Sequence, residues 1–282
     1  MSGKTKASHS VGATARWTAA VRAGETQRKD RLFNDPWAAA LAGREGKAWV
    51  ERWSADDIVP IVLRTRFFDD FLLRTTADRA VRQIVFMAAG LDTRAFRLNW
   101  PEKTRVFELD RPEVLNHKER VLRSARAEPL CERKILKVDL SGPWMPTLID
   151  TGFHPLQPST WLLEGFLYYL SNQKLSHLLD EITCLAAPGS WIGFDIINSA
   201  VLTSPWTLPW VQMQESWGAP WIGTVDDPEE LLAMRGWKAV ITQIGQPEAN
   251  HGRWPYPVFP AHMPFMPHHW FVIGSRQVPA PS

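Results

Sequence analysis

Four apolar segments in the middle of the chain each run out into an acid. "FMAAGLDTRAFRL" reaches Asp92, "VFELD" stops at Asp110, "ILKVDL" reaches Asp139 and "WLLEG" reaches Glu164. One buried strand ending in an acid is unremarkable, because capping acids are common, but chance is a poor account of four in succession. In an open α/β sheet, ligands bind beyond the carboxyl ends of the strands, at the switch point beside the first strand. Carboxylates gathered there accept hydrogen bonds from a ribose diol and attract a cation. Asp110 lies twenty residues beyond Gly90, about where a doubly wound fold puts its ribose-binding acid.

The turn after the first strand discriminates between cofactors. Ala88, Ala89 and Gly90 are small enough to let the backbone approach a ligand, and the helix that follows presents free N–H groups. A dinucleotide pyrophosphate wants the full G-x-G-x-x-G turn. Here Gly90 stands alone, and Arg94 falls close to where a packing glycine would lie. S-adenosylmethionine has no phosphate and carries a positive sulfonium, which suits a ring of acids. An NAD(P)-dependent oxidoreductase is the competing reading, and it lacks both the glycine-rich turn and a Tyr-x-x-x-Lys proton donor.

The elements that must hold these residues alternate strand and helix from Val81 onward. Buried strands are expected at Gln83–Ala89, Thr104–Asp110, Arg133–Asp139, Thr160–Glu164, Ser190–Ile197, Ala239–Ile244 and His269–Gly274. The clearest helix starts at Ser171, a good N-cap. It repeats Leu175, Leu178, Leu179, Ile182 and Leu185 before Pro188-Gly189 stops it. The pattern predicts an α/β fold, a doubly wound and mostly parallel seven-stranded sheet, with the last two strands antiparallel at its edge. Residues before 81 read as a helical cap over the ligand crevice, with helices at about 12–24, 34–44, 46–53 and 55–77. Residues 198–236 form an insertion holding Trp206, Trp210, Trp217 and Trp221, two pairs four apart that would each share a helix face. They either line a cavity or merely pack the insertion onto the sheet. The organisation expected is thus one domain over 1–282: cap 1–80, core 81–197, lid insertion 198–236 and final strands 237–276. The tail Val278–Ser282 reads as disordered.

Composition narrows the function classes. A net charge of +2 is too slight to argue for nucleic acid. Two cysteines, Cys131 and Cys184, are too few for a disulfide framework or a zinc site, so no metal is expected and a reducing compartment fits. No apolar run approaches a membrane span, and the basic start lacks the apolar core of a secretory signal. A cytoplasmic protein with no membrane partner is expected. Fifteen Trp against three Tyr suggest a wide aromatic-lined cavity beside the core.

Taken together, the motifs resemble the leucine carboxyl methyltransferase family, in its bacterial and fungal branch of S-adenosylmethionine-dependent O-methyltransferases. The resemblance covers nearly the whole chain. It runs through "VGATARWTAAVRAGETQRKDRLFNDPWAAAL", "LRTRFFDDFL", "AAGLDTRAFRL", "VFELDRPEVLNHK", "VDL", "WLLEGFLYYL" and "GRWPYPVFP". It implies a Rossmann-like methyltransferase sheet and S-adenosyl-L-methionine as cofactor. Arg64, or alternatively Arg66, would pair with the cofactor carboxylate. The turn Ala88, Ala89 and Gly90 would face its methionine portion, and Asp110 its ribose. Asp139 and Leu140 would frame the adenine, Glu164 would lie near the amino group, and Tyr169 would line the crevice near the reacting methyl. Asp92, Thr93 and Arg94 look structural, as an N-cap and turn.

The acceptor is less constrained. A carboxylate is already anionic at neutral pH and needs only alignment and exclusion of water. A phenol or alcohol would gain from a base, for which His262, His268 and His269 are candidates beside Tyr256. Histidines opening a strand are more often satisfied polar residues than bases. Arg253 is the candidate electrostatic clamp for an acidic substrate. The expected partner is a small aromatic or apolar acid, yielding a methyl ester, with polyketide-like phenols or alcohols second and a protein C-terminus third. Oligomeric state is not readable.

Overall fold

The computed structural model describes residues 3–77, 81–261, 263 and 265–277. The candidate base His262 and the tail Val278–Ser282 lie outside the described residues. In chain order the elements are α1 (Gly3–Thr26), α2 (Ala38–Val50), α3 (Ala55–Ala77), β1 (Gln83–Met87), α4 (Arg94–Arg97), β2 (Arg105–Asp110), α5 (Pro112–Ser124) and β3 (Glu132–Lys137). They continue with α6 (Trp144–Asp150), β4 (Ser159–Leu163), α7 (Asn172–Leu185), β5 (Trp191–Ile197), α8 (Leu208–Ser216), α9 (Pro228–Ala233), β6 (Trp237–Gln243) and β7 (His269–Arg276). The cap helices expected at 34–44 and 46–53 fall partly within α2, whose backbone breaks at Gly43 with φ of +61°.

Seven strands form one sheet in the order β3-β2-β1-β4-β5-β7-β6. The first five pair in parallel, and β7 runs antiparallel to both β5 and β6. The last two strands therefore pair antiparallel, as the sequence implies, with β7 slotted inside and β6 left at the edge. Edge position shows in β6 itself, where Lys238 and Val240 are exposed.

Every residue of β1 and β4 is buried, the signature of a sheet covered on both faces. Alternate side chains feed two different cores. Val85, Met87, Phe107 and Leu163 join Trp144 and Leu148 of α6 and the leucines of α7 on one face. Ile84, Phe86 and Val106 join Leu63, Phe67, Phe68 and Phe71 of α3 on the other. The cap is thus more than a cover for the crevice: α3 is a structural layer of the sheet. Ser171 caps α7 by accepting from the Lys174 N–H, as its position predicts.

Two tryptophans of the insertion, Trp210 and Trp217, pack against the cap, whereas Trp221 packs on Tyr168 beside the sheet core and Trp206 stacks on Phe259. Trp210 stacks on Trp53 at 4.4 Å between ring centres, Trp217 lies 4.5 Å from Trp49, and Trp17 of α1 sits about 6 Å from three of these rings. Cap and insertion are joined by an aromatic seam. No described helix is long and apolar enough to cross a membrane.

The seating of α3 on β5 has little slack. A Cβ built on Gly193 would lie 2.6 Å from the Phe71 ring. Gly193→Ala is expected to destabilise the fold by about 1–3 kcal/mol through overpacking, read as a lowered urea midpoint with an unchanged slope.

Candidate active site

Beyond the carboxyl ends of β1 to β4 opens a cavity of about 1290 Å³. It exceeds the range of roughly 300–1,000 Å³ usual for a single ligand pocket. Residues Ala88, Ala89, Gly90, Asp110, Asp139, Leu140, Glu164 and Tyr169 all line it, as do Arg64 and His269. Asp92 lines it too, whereas Thr93 and Arg94 do not.

The turn after β1 is held in an unusual conformation. Ala88 and Gly90 both have positive φ, at +51° and +52°, a region costly for alanine and free for glycine. Asp110, the last residue of β2, secures it: one carboxylate oxygen accepts the Gly90 N–H at 2.6 Å and the other accepts its neighbour's, that of Arg111, at 2.6 Å. Each oxygen keeps a second lone pair for a further donor. Burial raises the Asp110 pKa above the ordinary carboxylate value. Asp139, two residues past β3, accepts from the Ser141 N–H and hydroxyl, and these bonds lower its pKa.

Arg64 is the centre of the charged wall. It is 4% exposed on α3, and its Nε and Nη1 donate to Glu164 at 3.1 Å and to Asp195 at 2.9 Å. Nη1 also reaches the Tyr168 hydroxyl at 3.0 Å. Burial opposes its charge, but Asp195, Tyr168 and Glu164 hold its pKa well above the ordinary arginine value. Gly165 makes room, since a Cβ there would stand 3.1 Å from this guanidinium. Arg66, the alternative, points elsewhere: it binds Asp70 at 2.8 Å and the Leu32 carbonyl at 2.7 Å, and it does not line the cavity.

Asp195 is the candidate site residue that the sequence reading does not single out. It is fully buried in β5, accepts the Gly165 N–H at 2.6 Å, and accepts from Arg64 and from Nε2 of His269 at 2.8 Å. Burial opposes its ionisation, yet Arg64 and His269 bring its pKa down to about 2. A signal was available: an acid inside the otherwise apolar run "WIGFDII" must find a partner. Arg94 has the structural place expected of it. It bonds Asp69 at 2.6 Å and forms ion pairs with Glu164 at 2.8 Å and with Asp92, so it braces the wall from behind.

The structure corrects the reading of Arg253. Its guanidinium lies 3.4 Å from Glu25 and 3.2 Å from Asp30, and it is absent from the cavity lining. The loop carrying it folds back onto the end of α1, where its charge is paired outside the cavity lining, and the structure does not place it as a substrate clamp. Burial raises the pKa of Tyr169, which therefore lines the cavity as a protonated phenol. Burial lowers the pKa of His268. From residue 197 onward the lining includes Trp206, Trp210, Trp221, Trp254, His268 and His269, while Arg22, Arg111 and Lys174 line it from earlier in the chain.

Two carboxylates of the wall, Asp92 and Asp195, titrate near pH 2 in the folded chain. Folding lowers both values, so their contribution is complete above the unfolded value near 4 and is lost as the pH falls toward 2. Stability measured by denaturant is expected to drop by a few kcal/mol, about 2 for each acid, between about pH 4 and 2.

Comparison with known proteins accords with this geometry. The family model for leucine carboxyl methyltransferase matches residues 15–183. A candidate S-adenosyl-L-methionine-dependent methyltransferase of Mycolicibacterium smegmatis is 36% identical over 264 residues, 86% of this chain and 88% of its own. Another, of Parafrankia sp., is 43% identical over 207 residues, 68% of this chain and 65% of its own. Among solved structures, a candidate methyltransferase of Thermobifida fusca superposes with a TM-score of 0.60 at 18% identity, covering 94% of each chain. A Streptomyces avermitilis protein does so with 0.61 at 14% identity, over 92% of this chain and 97% of its own. These two share the fold. The chain belongs to the leucine carboxyl methyltransferase family, whose members named here are S-adenosyl-L-methionine-dependent methyltransferases.

Proposed function

We propose that the protein is an S-adenosyl-L-methionine-dependent O-methyltransferase acting on a small aromatic or apolar molecule. The observation that carries this is the single cavity that Asp110, Asp139, Glu164 and Arg64 share with Trp17, Trp206, Trp210, Trp221 and Trp254. The residues present fit the cofactor. Asp110 retains lone pairs for a ribose diol, Gly90 leaves its backbone open, and Asp139 with Leu140 borders the space for an adenine. Arg64 is the charge partner for the cofactor carboxylate, and the surrounding acids favour its cationic portion. When bound, S-adenosyl-L-methionine supplies a methyl group on a positive sulfur, open to attack by an oxygen lone pair.

The protein's task is then to orient the acceptor oxygen and exclude water, which the Trp17–Trp210–Trp53 seam serves by closing cap onto insertion. Two acceptors fit the reading. A carboxylic acid, giving a methyl ester, needs no base and follows the family's description. A phenol or alcohol is favoured by one specific feature, His269 on the cavity wall with Asp195 behind it.

Calorimetric titration should detect S-adenosylmethionine and S-adenosylhomocysteine but not NADH, and binding of NADH alone would overturn the reading. Asp110→Ala is expected to weaken cofactor binding by about 1–3 kcal/mol, or about 5–150-fold. Undiminished affinity would remove Asp110 from the ribose site. Mass spectrometry of aromatic and aliphatic acids and phenols incubated with enzyme and cofactor identifies the acceptor.

A further inference from the structure

We infer that His269 is the general base of this cavity, that Asp195 is the residue that positions it, and that the acceptor is a hydroxyl, a phenol or an alcohol. The inference rests on the methyltransferase reading and selects among its acceptors. Its starting point is a constraint on protons. Asp195 is a carboxylate with no proton to give, buried and already accepting from Arg64 and the Gly165 N–H. It can meet His269 Nε2 at 2.8 Å only if that nitrogen carries the hydrogen. In the neutral imidazole the lone pair is then on Nδ1.

The rest follows from where the ring stands. His269 opens β7 and lines the cavity with 23% of its side chain exposed. Nδ1 has no hydrogen-bond partner among the described residues. An acceptor-only acid behind a histidine that lines the cavity, with the far nitrogen left unbonded, is the arrangement that removes a proton from an oxygen nucleophile. The hydroxyl proton passes to Nδ1, and the acceptor oxygen keeps the O–H electron pair for its new bond to carbon. The positive charge lost from the methyl donor reappears on the imidazolium, whose Nε2–H faces the Asp195 carboxylate.

The acceptor class follows from the base. A hydroxyl must lose its proton as it attacks, whereas a carboxylate is already anionic at neutral pH and has no use for a base on the wall. With Arg253 committed to Glu25 and Asp30, the expected counter-charge for an acid is elsewhere. Asp195 also grips Arg64, so one carboxylate sets both the base and the guanidinium of the cofactor end.

The tautomer can be read without any turnover. In full-length protein with ¹⁵N-labelled imidazoles, long-range ¹H–¹⁵N spectra near pH 8 should show His269, assigned by its loss in His269→Gln, protonated on Nε2 and bare on Nδ1. Asp195→Asn should mix or reverse the two tautomers. A wild-type Nδ1–H tautomer would overturn the proposal. In the catalytic arm the probes are 1-naphthol and 1-naphthoic acid, matched in shape. The naphthol should be the methylated partner, and His269→Gln should lower its kcat by about 10²–10⁴-fold. Asp195→Asn should lower kcat with little change in acceptor KM and add little in the His269→Gln background. It should also weaken S-adenosylhomocysteine binding several-fold, which His269→Gln does not. Preference for the naphthoic acid, or full naphthol turnover by His269→Gln, refutes the assignment. Failure of S-adenosylmethionine to bind refutes the methyltransferase reading instead, and the tautomer spectrum still judges Asp195.

Discussion

A guanidinium with almost no exposure can be ionised only among carboxylates that are themselves held in place. Arg64 lives under that constraint, and the architecture around it is arranged accordingly. Glu164 comes from the end of β4, Asp195 from the middle of β5, and Tyr168 from the turn after Glu164. Arg64 itself comes from α3, which packs across the opposite core. Three segments distant in sequence are therefore fixed by one planar cation, and a shift in any of them would strand a buried charge.

The pairing does not stop there. Glu164 turns to Arg94, Arg94 and Arg97 share Asp69, and Arg97 approaches Asp35, which holds Arg22 of α1. Arg22 in turn donates to the Leu91 carbonyl, beside the turn of Ala88 to Gly90. A continuous line of alternating charges thus runs from the first cap helix, beneath the cofactor turn, to His269 on β7. Such networks add less to stability than their number suggests, because each charge also surrenders water. Their value is positional: they give the polar lining one arrangement, while Trp17 and Trp210 of the aromatic seam line the same cavity.

The cavity lining is chemically mixed. It presents paired charges and free lone pairs on fixed backbone, the conditions for a polar cation with a ribose, and indole rings, the conditions for an apolar guest. His269 lines that cavity and reaches the charge network through its bond to Asp195.

Much of this was legible in the residues. The strand positions, the small-residue turn, Asp110 at its spacing and Ser171 as a cap are all local or periodic signals, and a chain carries those without folding. Single-glycine economy at Gly90 likewise belongs to the sequence, since it states what the turn cannot wrap around. Other features depended on which segments meet. Asp195 reads as one acid in an apolar strand until α3 and β7 bring Arg64 and His269 to it. Arg253 reads as a spare cation until its loop folds onto Glu25 and Asp30. Trp210 and Trp217 read equally as cavity-lining or sheet-packing residues until they meet Trp53 and Trp49 of the cap. The sequence by itself determined the sheet and its acid-lined end, because backbone periodicity and turn chemistry are properties of neighbours along the chain. Only the tertiary structure decided which charges are spent and which stay free, because pairing is a property of neighbours in space.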